Sequence, residues 1–117
     1  MTKQERDGAT RIADERKRQI EKEGWTPDHD DLEHVEGELA LAAICYAAPE
    51  PIFVHRSFNV DGSDHHFVDP WPEEWDQWDK RPAKKPTDAQ RIRMLEKAGA
   101  LCAAEIDRLL RKTEEKR

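Results

Sequence analysis

The chain has 117 residues and a mass of 13.6 kDa, and 39% of its residues are charged while 36% are hydrophobic. This supply of apolar side chains predicts a single domain with a small core. The 26 acidic residues outnumber the 20 basic ones, and the net charge of −6 opposes binding to nucleic acid and to anionic membranes. No apolar run approaches the roughly 20 residues that span a bilayer, and no secretion signal is present, so we expect a cytoplasmic protein.

The first predicted helix covers residues 3–23 and is followed by Gly24, which provides a stop. Its narrow apolar stripe recurs at helical spacing and consists of Ala9, Ile12, Ala13 and Ile20. Arg16 falls in the middle of this stripe. Its guanidinium either extends along the edge of the core to solvent or points into a pocket.

The second predicted helix covers residues 28–48. Thr26 and Pro27 precede it and aspartates crowd its first turn, which is typical of a helix N-terminus. Its second half is apolar nearly all round and contains Leu39, Leu41, Ala42, Ala43, Ile44, Cys45 and Tyr46. A helix that is apolar on every side needs more partners than two further helices offer, so we expect a homodimer or larger assembly with a helical-bundle core.

Residues 49–86 form a long insertion with six of the seven prolines. It also holds six aromatic residues, Phe53, Phe58, Phe67, Trp71, Trp75 and Trp78. Connections of this length are usually either functional or disordered, and disordered segments are poor in aromatic residues, so we expect the insertion to be ordered. Short apolar segments at 52–54, 58–60 and 65–68, with a turn at 61–63, predict a small β-hairpin.

The third predicted helix covers residues 88–112, and residues 113–117 are expected to fray. Thr87 and Gln90 have the spacing of a capping box at its start. The apolar stripe predicted to face the core consists of Ile92, Leu95, Ala98, Gly99, Cys102, Ile106 and Leu109. A glycine inside a helix costs about 1 kcal/mol, so we expect Gly99 to permit the close approach of another helix. The predicted fold is therefore mainly α, a single domain of three helices with an aromatic insertion.

Both cysteines of the chain, Cys45 and Cys102, fall within apolar helical patterns. Such positions do not suit a disulfide framework, and neither cysteine has the spacing of a zinc site. We therefore expect two reduced cysteines that are buried in the core.

Tryptophans and basic residues follow one another at the end of the insertion. Trp71, Trp75 and Trp78 precede a basic run, and the bases are Lys80, Arg81, Lys84, Lys85 and then Arg91. Aromatic faces stack on purines and guanidinium groups bind phosphates, so this is suitable chemistry for a nucleotide-like small molecule. The alternative is that the tryptophans fill the core of a domain that is short of apolar residues.

Carboxylates and an imidazole recur along the second predicted helix. Asp30, His34 and Glu38 are spaced four residues apart and would lie on one side of a helix, with Glu33 and Glu36 beside them. Such groups can hold a divalent cation. The alternative is an acidic first turn that caps the helix.

The segment from His34 to Ala40 resembles the MazG-type all-α nucleoside triphosphate pyrophosphohydrolases. In that family a Glu-x-x-Glu pair on one helix and a Glu-x-x-Asp pair on a later helix hold magnesium against a triphosphate. Glu33 and Glu36 have the first spacing, whereas Glu105 and Asp107 are two residues apart instead of three. The chain also has no Gly-rich phosphate loop and no nucleophile elbow, so no catalytic residue is assigned.

Four segments resemble a family of small proteins carried by tailed phages and prophages, and they are Glu15 to Asp31, Gly37 to Ala43, Pro70 to Trp78 and Lys97 to Ile106. The resemblance implies a phage-borne accessory protein that acts in the host cytoplasm. Such proteins often block host defences, and one strategy is to sequester a nucleotide-derived immune signal without cleaving it.

These observations predict a non-catalytic binding protein, a sponge for a nucleotide or an ADP-ribose-type signalling molecule, with no cofactor. Its predicted ligand-binding residues fall into three groups. Stacking on the base is assigned to Trp71, Trp75 and Trp78, and binding of the phosphates to Arg16, Arg81 and Arg91. One further wall of the site is formed by Trp25 and His29. One alternative is a magnesium-dependent pyrophosphohydrolase that uses Glu33, His34, Glu36 and Glu38. Another is an inhibitor that presents its acidic surface to a basic host enzyme.

Overall fold

A computed structural model describes residues 7–24, 37–72 and 82–115. In chain order the elements are α1 (Gly8–Lys22), α2 (Glu38–Ala47), β1 (Val54–Arg56), β2 (His66–Val68) and α3 (Asp88–Glu115). Helix α3 packs against both α1 and α2, and the two strands form an antiparallel pair. The predicted mainly α fold with a small hairpin is confirmed. Within the described ranges no helix has the length and apolarity needed to cross a bilayer.

Helix α1 begins and ends at clear local signals. The Asp7 carboxylate caps it by accepting a hydrogen bond from the Thr10 backbone N–H at 3.0 Å. The predicted stop is confirmed, because the helix ends at Lys22 and Gly24 has a φ of +73°, which favours glycine.

The face of α1 that points inward differs from the predicted one. Glu15 and Gln19 are buried, whereas Ala9 and Ala13 are exposed. The prediction was wrong for Ala9 and Ala13, whereas Ile12 and Ile20 of the predicted stripe are half-buried. A carboxylate can be buried when it is paired and hydrogen-bonded, and Glu15 has such partners on α1 and α3.

Helix α2 begins at Glu38, directly after Gly37, whose φ of +87° lies in the left-handed region. The predicted helix over 28–48 is therefore wrong at this point, since a helix cannot continue through that conformation. Residues 28–36 lie outside the described residues. The interruption also removes the argument that a continuous helix aligns Glu38 with Asp30 and His34.

Helix α3 begins as predicted with a capping box. The Thr87 backbone N–H donates to Gln90 Oε1 at 2.9 Å, and the Gln90 backbone N–H donates to Thr87 Oγ1 at 3.2 Å. The helix runs to Glu115, three residues beyond the predicted end at residue 112.

The core face of α3 overlaps the predicted stripe at Ala98 and otherwise differs from it. Met94, Ala98, Leu101 and Ala104 are buried together with α2 side chains, which are Leu39, Ala42, Ala43 and Tyr46. The distance between packed helices depends on the side chains at the contact, and small alanine side chains permit a close one. Most of the predicted stripe, including Cys102, is exposed. Cys45 on α2 is half-buried.

Gly99 is the member of the predicted stripe that another helix approaches closely, as expected. A Cβ atom at this position would lie 2.5 Å from Ile12 Cδ1 and 2.7 Å from Ile12 Cγ1. Because no carbon atom can sit at such distances, the isoleucine of α1 fits only against a glycine in this geometry.

Gly99→Ala should therefore lower the free energy of unfolding by about 1 kcal/mol, since overpacking exceeds the gain in helix propensity. In an Ile12→Ala background the same change should raise it by about 1 kcal/mol, because the helix propensity then acts alone. Urea denaturation of the four chains measures this cycle. Equal effects of Gly99→Ala in both backgrounds would contradict the contact.

The hairpin pairs Val54 with Val68 and is closed by a loop organised around Asp64. The Asp64 carboxylate accepts hydrogen bonds from the backbone N–H groups of Phe58 and Asn59 at 2.8 and 2.7 Å, and from Ser57 Oγ at 2.8 Å. The Phe58 N–H and these other donors lower the pKa of Asp64 to about 2. These bonds hold the 58–60 segment in the loop, so its prediction as a strand was wrong.

Candidate ligand-binding cleft

A cleft of about 260 Å³ lies where the insertion meets α2 and α3. Apolar and sulfur-containing side chains line most of it, among them Cys45, Ile52, Phe53, Trp71 and Met94. Pockets that enclose drug-sized molecules have volumes of roughly 300–1,000 Å³. This cleft is therefore of a size to take one ring system, with the rest of a larger ligand outside it.

Trp71 is the predicted site residue that the structure places in the cleft wall. Its side chain is only 5% exposed and contacts Tyr46 edge-on, with 5.7 Å between the ring centroids. Its backbone N–H donates to Asp69 Oδ1 at 2.9 Å, which fixes the chain at the entry to this turn. Trp71 belongs to the core cluster, as the core interpretation predicts, and its side chain also lines the cleft.

Three charged residues also line the cleft, the carboxylates Glu50 and Asp69 and the ammonium of Lys84. Glu50 and Lys84 are exposed, so water screens their charges. Lys85 is an exposed neighbour of Lys84. The apolar wall thus lies next to an edge at which an anionic group could reach a lysine.

Arg91 lies at the end of α2, where it interacts with main-chain carbonyls. Its Nη1 donates to the carbonyl oxygens of Tyr46 and Ala48 at 2.9 and 3.0 Å, and its Nη2 donates to that of Ala47. A guanidinium in this position satisfies carbonyl groups that have no partner within the helix, and it offsets the negative end of the helix dipole. Arg91, which the sequence predicted to bind phosphate, therefore ties α3 to α2.

Arg91→Ala should lower the free energy of unfolding by about 2 kcal/mol, because charge-assisted hydrogen bonds to three carbonyls are lost. Arg11→Ala is the matched control, since Arg11 is 42% exposed and makes a surface ion pair with Glu96 at 3.0 Å. We expect that control to change stability by less than about 1 kcal/mol. Urea denaturation compares the two, and equal losses would contradict the capping role.

Arg16 does not line the cleft. Its side chain is 11% exposed and lies between α1 and α3, with Nε 4.0 Å from Asp107 Oδ2. Five other predicted ligand-binding residues lie outside the described residues, namely Trp25, His29, Trp75, Trp78 and Arg81. Of the three predicted residues that are described, Trp71 lines the cleft, whereas Arg91 and Arg16 are not among its lining residues.

The predicted metal ligands are described only in part. Glu38 is buried in the first turn of α2, while Glu33, His34 and Glu36 lie outside the described residues. In the part of the chain that the structure describes, no three His, Cys, Asp or Glu side chains are grouped closely enough to hold a metal ion.

The sequence interpretation missed a cluster of polar side chains where α1, α2 and α3 meet. Glu15 Oε1 accepts from Arg18 Nε at 2.7 Å and from Arg93 Nη1 at 2.6 Å, and Gln19 Nε2 donates to Glu15 Oε2 at 3.2 Å. The spacing of Glu15 and Arg18 is a local signal for one of these pairs. Arg93 is 78 residues from Glu15 in the sequence, so no local pattern could have shown it.

Burial changes the acid–base behaviour of this cluster. Burial raises the pKa of Tyr46 to about 12, and the Glu23 and Glu15 carboxylates add to that rise. The half-buried Lys97 ammonium lies 5.4 Å from the centre of the Tyr46 ring, and burial lowers the pKa of Lys97. For Glu15, burial acts to raise the pKa, but the Arg18 and Arg93 bonds outweigh it and the pKa lies below its ordinary value.

This lowered pKa makes part of the stability depend on pH. The ionised Glu15 stabilises the fold above the unfolded-state pKa of about 4.3, and this contribution is lost as the pH falls through the lower folded-state pKa. We expect the difference in unfolding free energy between the wild type and Glu15→Gln to be constant near neutral pH and to shrink below about pH 4. Urea titrations over that range measure it, and a constant difference down to acid pH would contradict the assignment.

The fold and the cleft define a small, mainly α protein with an apolar, aromatic-lined cleft beside its helical core. No family model matches the chain, and no curated protein or solved structure matches it.

Proposed function

We propose that the protein is a phage-encoded anti-defence binding protein that sequesters a nucleotide-derived immune signalling molecule, of the ADP-ribose type or a cyclic nucleotide, without cleaving it. The observation that carries the proposal is the cleft, whose indole and thioether walls suit the flat face of a nucleobase. The resemblance of four segments to phage accessory proteins supports the biological role.

In this proposal the base enters the cleft against Trp71, Phe53 and Met94, which line it. The phosphates stay outside and approach Lys84, because the cleft itself contains two carboxylates. In this proposal the protein acts as a homo-oligomer. Large apolar side chains that are exposed on α3 support this part of the proposal.

The test is titration calorimetry of the pure protein with nucleosides, nucleoside mono-, di- and triphosphates, cyclic nucleotides and cyclic ADP-ribose isomers, with and without magnesium. We expect one class of compound to bind and to be recovered unchanged by chromatography after heat release. Magnesium-dependent conversion to a monophosphate would overturn sequestration in favour of the pyrophosphohydrolase. Binding of none of these compounds would overturn it in favour of a protein partner.

A pair of phenylalanines tests whether the cleft is the binding site. Phe53 lines the cleft and is 62% exposed, whereas Phe58 lies on the hairpin and is 65% exposed. Phe53→Ala should weaken binding about tenfold, which corresponds to roughly 1.4 kcal/mol of lost aromatic contact. Phe58→Ala is the matched control and should bind like the wild type. Equal affinities of the two variants would place the ligand elsewhere.

A pair of lysines tests the position of the phosphates. Lys84→Gln should weaken the binding of a nucleotide several-fold and leave the binding of its nucleoside unchanged, because the charge meets only the phosphate. Lys112→Gln, an exposed lysine near the end of α3, is the control. An equal loss for nucleoside and nucleotide would contradict the phosphate contact.

A further inference from the structure

Two histidines of the hairpin point their ring nitrogens at each other. His55 lies on β1 and His65 directly precedes β2, and His55 Nε2 is 2.9 Å from His65 Nδ1. The ring planes differ by 24° and the ring centres are 5.1 Å apart, so the two rings meet nearly end to end. At this distance the two nitrogens share one proton, since a neutral imidazole has one nitrogen that donates and one that accepts.

The register of the hairpin places both rings on one face. His55 is opposite Phe67, and His65 precedes Phe67 by two residues, which is the spacing of side chains on the same face of a strand. The Phe67 ring contacts His55, with 5.4 Å between the ring centres. The loop between the strands is held by the backbone hydrogen bonds to the Asp64 carboxylate. The fold of the hairpin thus brings the two imidazoles together.

We infer that His55 and His65 form a binding site for a divalent transition metal ion of the Ni²⁺ or Cu²⁺ type. Imidazole nitrogens are preferred ligands of these ions. Two nitrogens that bind one ion at about 2.0–2.1 Å and at right angles are about 2.9 Å apart. This is the separation of His55 Nε2 and His65 Nδ1.

The ion takes the place of the shared proton after a rotation of the two exposed rings. The histidine that donates this proton changes tautomer, so the proton moves through water to the outer nitrogen of the same ring and both facing nitrogens bind the ion. Asp64 stays outside the site, because its carboxylate is bound to the loop backbone and lies 3.1 Å from His66 Nε2. Water molecules occupy the other coordination positions, so we expect micromolar affinity.

Titration calorimetry of the full chain with Ni²⁺, without nucleotide or magnesium, tests this inference. Ni²⁺ is the probe because Cu²⁺ would oxidise the exposed thiol of Cys102. Loss of a group that merely supports a metal ligand costs about 10–100-fold in affinity, so His55→Gln and His65→Gln should each weaken binding at least about tenfold. His66→Gln is the matched control, because His66 is an exposed hairpin histidine that pairs with Asp64 instead. It should bind Ni²⁺ like the wild type.

Nuclear magnetic resonance of the wild type locates the ion without any variant. Ni²⁺ is paramagnetic and broadens the amide signals of nearby residues, so the signals of residues 54–57 and 64–68 should broaden first. Broadening centred elsewhere in the chain would overturn the inference. So would an affinity that His55→Gln and His65→Gln leave unchanged, an equal loss in His66→Gln, or a wild type that binds no Ni²⁺ at millimolar concentration.

The metal site is independent of the proposed function. His55 and His65 are not among the described residues that line the cleft. A variant that has lost Ni²⁺ binding should therefore still bind a nucleotide-like ligand, and Phe53→Ala should still bind Ni²⁺ like the wild type.

Discussion

Trp71→Ala should lower the free energy of unfolding by about 3 to 5 kcal/mol, the range for truncation of a large buried aromatic side chain. Trp71 is 5% exposed, contacts Tyr46 edge-on and belongs to the core cluster that α2 and α3 share. Its removal leaves a cavity beside the existing cleft, which the small domain cannot fill with other side chains. Urea denaturation followed by circular dichroism measures the loss.

Phe58→Ala is the control for this change, because the Phe58 ring is 65% exposed and packs against His66 on the hairpin. We expect it to change stability by less than about 1 kcal/mol. Equal losses for the two variants would contradict a core role for Trp71. Because Trp71→Ala destabilises the fold, the binding site is tested with Phe53→Ala instead.

Glu15→Ala should lower the free energy of unfolding by about 3 kcal/mol. Breaking a buried ion pair usually costs about 3 to 5 kcal/mol, and the lower end applies because the side chains of Arg18 and Arg93 are 36% and 39% exposed. Glu15 itself is almost fully buried, whereas each arginine keeps a second carboxylate partner, Glu23 for Arg18 and Glu96 for Arg93. Urea denaturation at neutral pH measures the change.

Glu21→Ala is the matched control on the same helix. The Glu21 side chain is 54% exposed and lies 4.0 Å from Lys17, and such surface pairs contribute less than about 1 kcal/mol. A double-mutant cycle of Glu15→Ala with Arg93→Ala should give a coupling energy of about 1 to 3 kcal/mol. Additive effects of the two changes would contradict the direct bond between them.

Local sequence signals predicted where two of the helices begin or end. The Thr87 and Gln90 capping box and the stop at Gly24 depend on side chains and backbone angles within a few residues, so the sequence alone could indicate them. Gly99 was also recognisable, because a glycine inside a helix needs a compensating contact. Gly37 shows the limit of this approach, because α2 begins directly after its left-handed backbone conformation, whereas the sequence pattern predicted a helix that continues through it.

Tertiary packing determines which face of each helix is buried. Helix α3 carries two apolar stripes, and the sequence could not show which one the other helices cover, since periodicity is equal evidence for both. The stripe that contains Ala98, Leu101 and Ala104 is buried in the core with α2 side chains, and Ile106 and Leu109 are exposed.

For the candidate site, the sequence determined the aromatic character of the insertion and identified Trp71. Only the tertiary structure decided that Trp71 lines a cleft, that Arg91 binds the carbonyl groups at the end of α2, and that Glu15 is buried with Arg93. The physical reason is distance along the chain. Caps and stops depend on near neighbours, whereas a cleft wall or a buried ion pair depends on residues many positions apart that the sequence pattern does not connect.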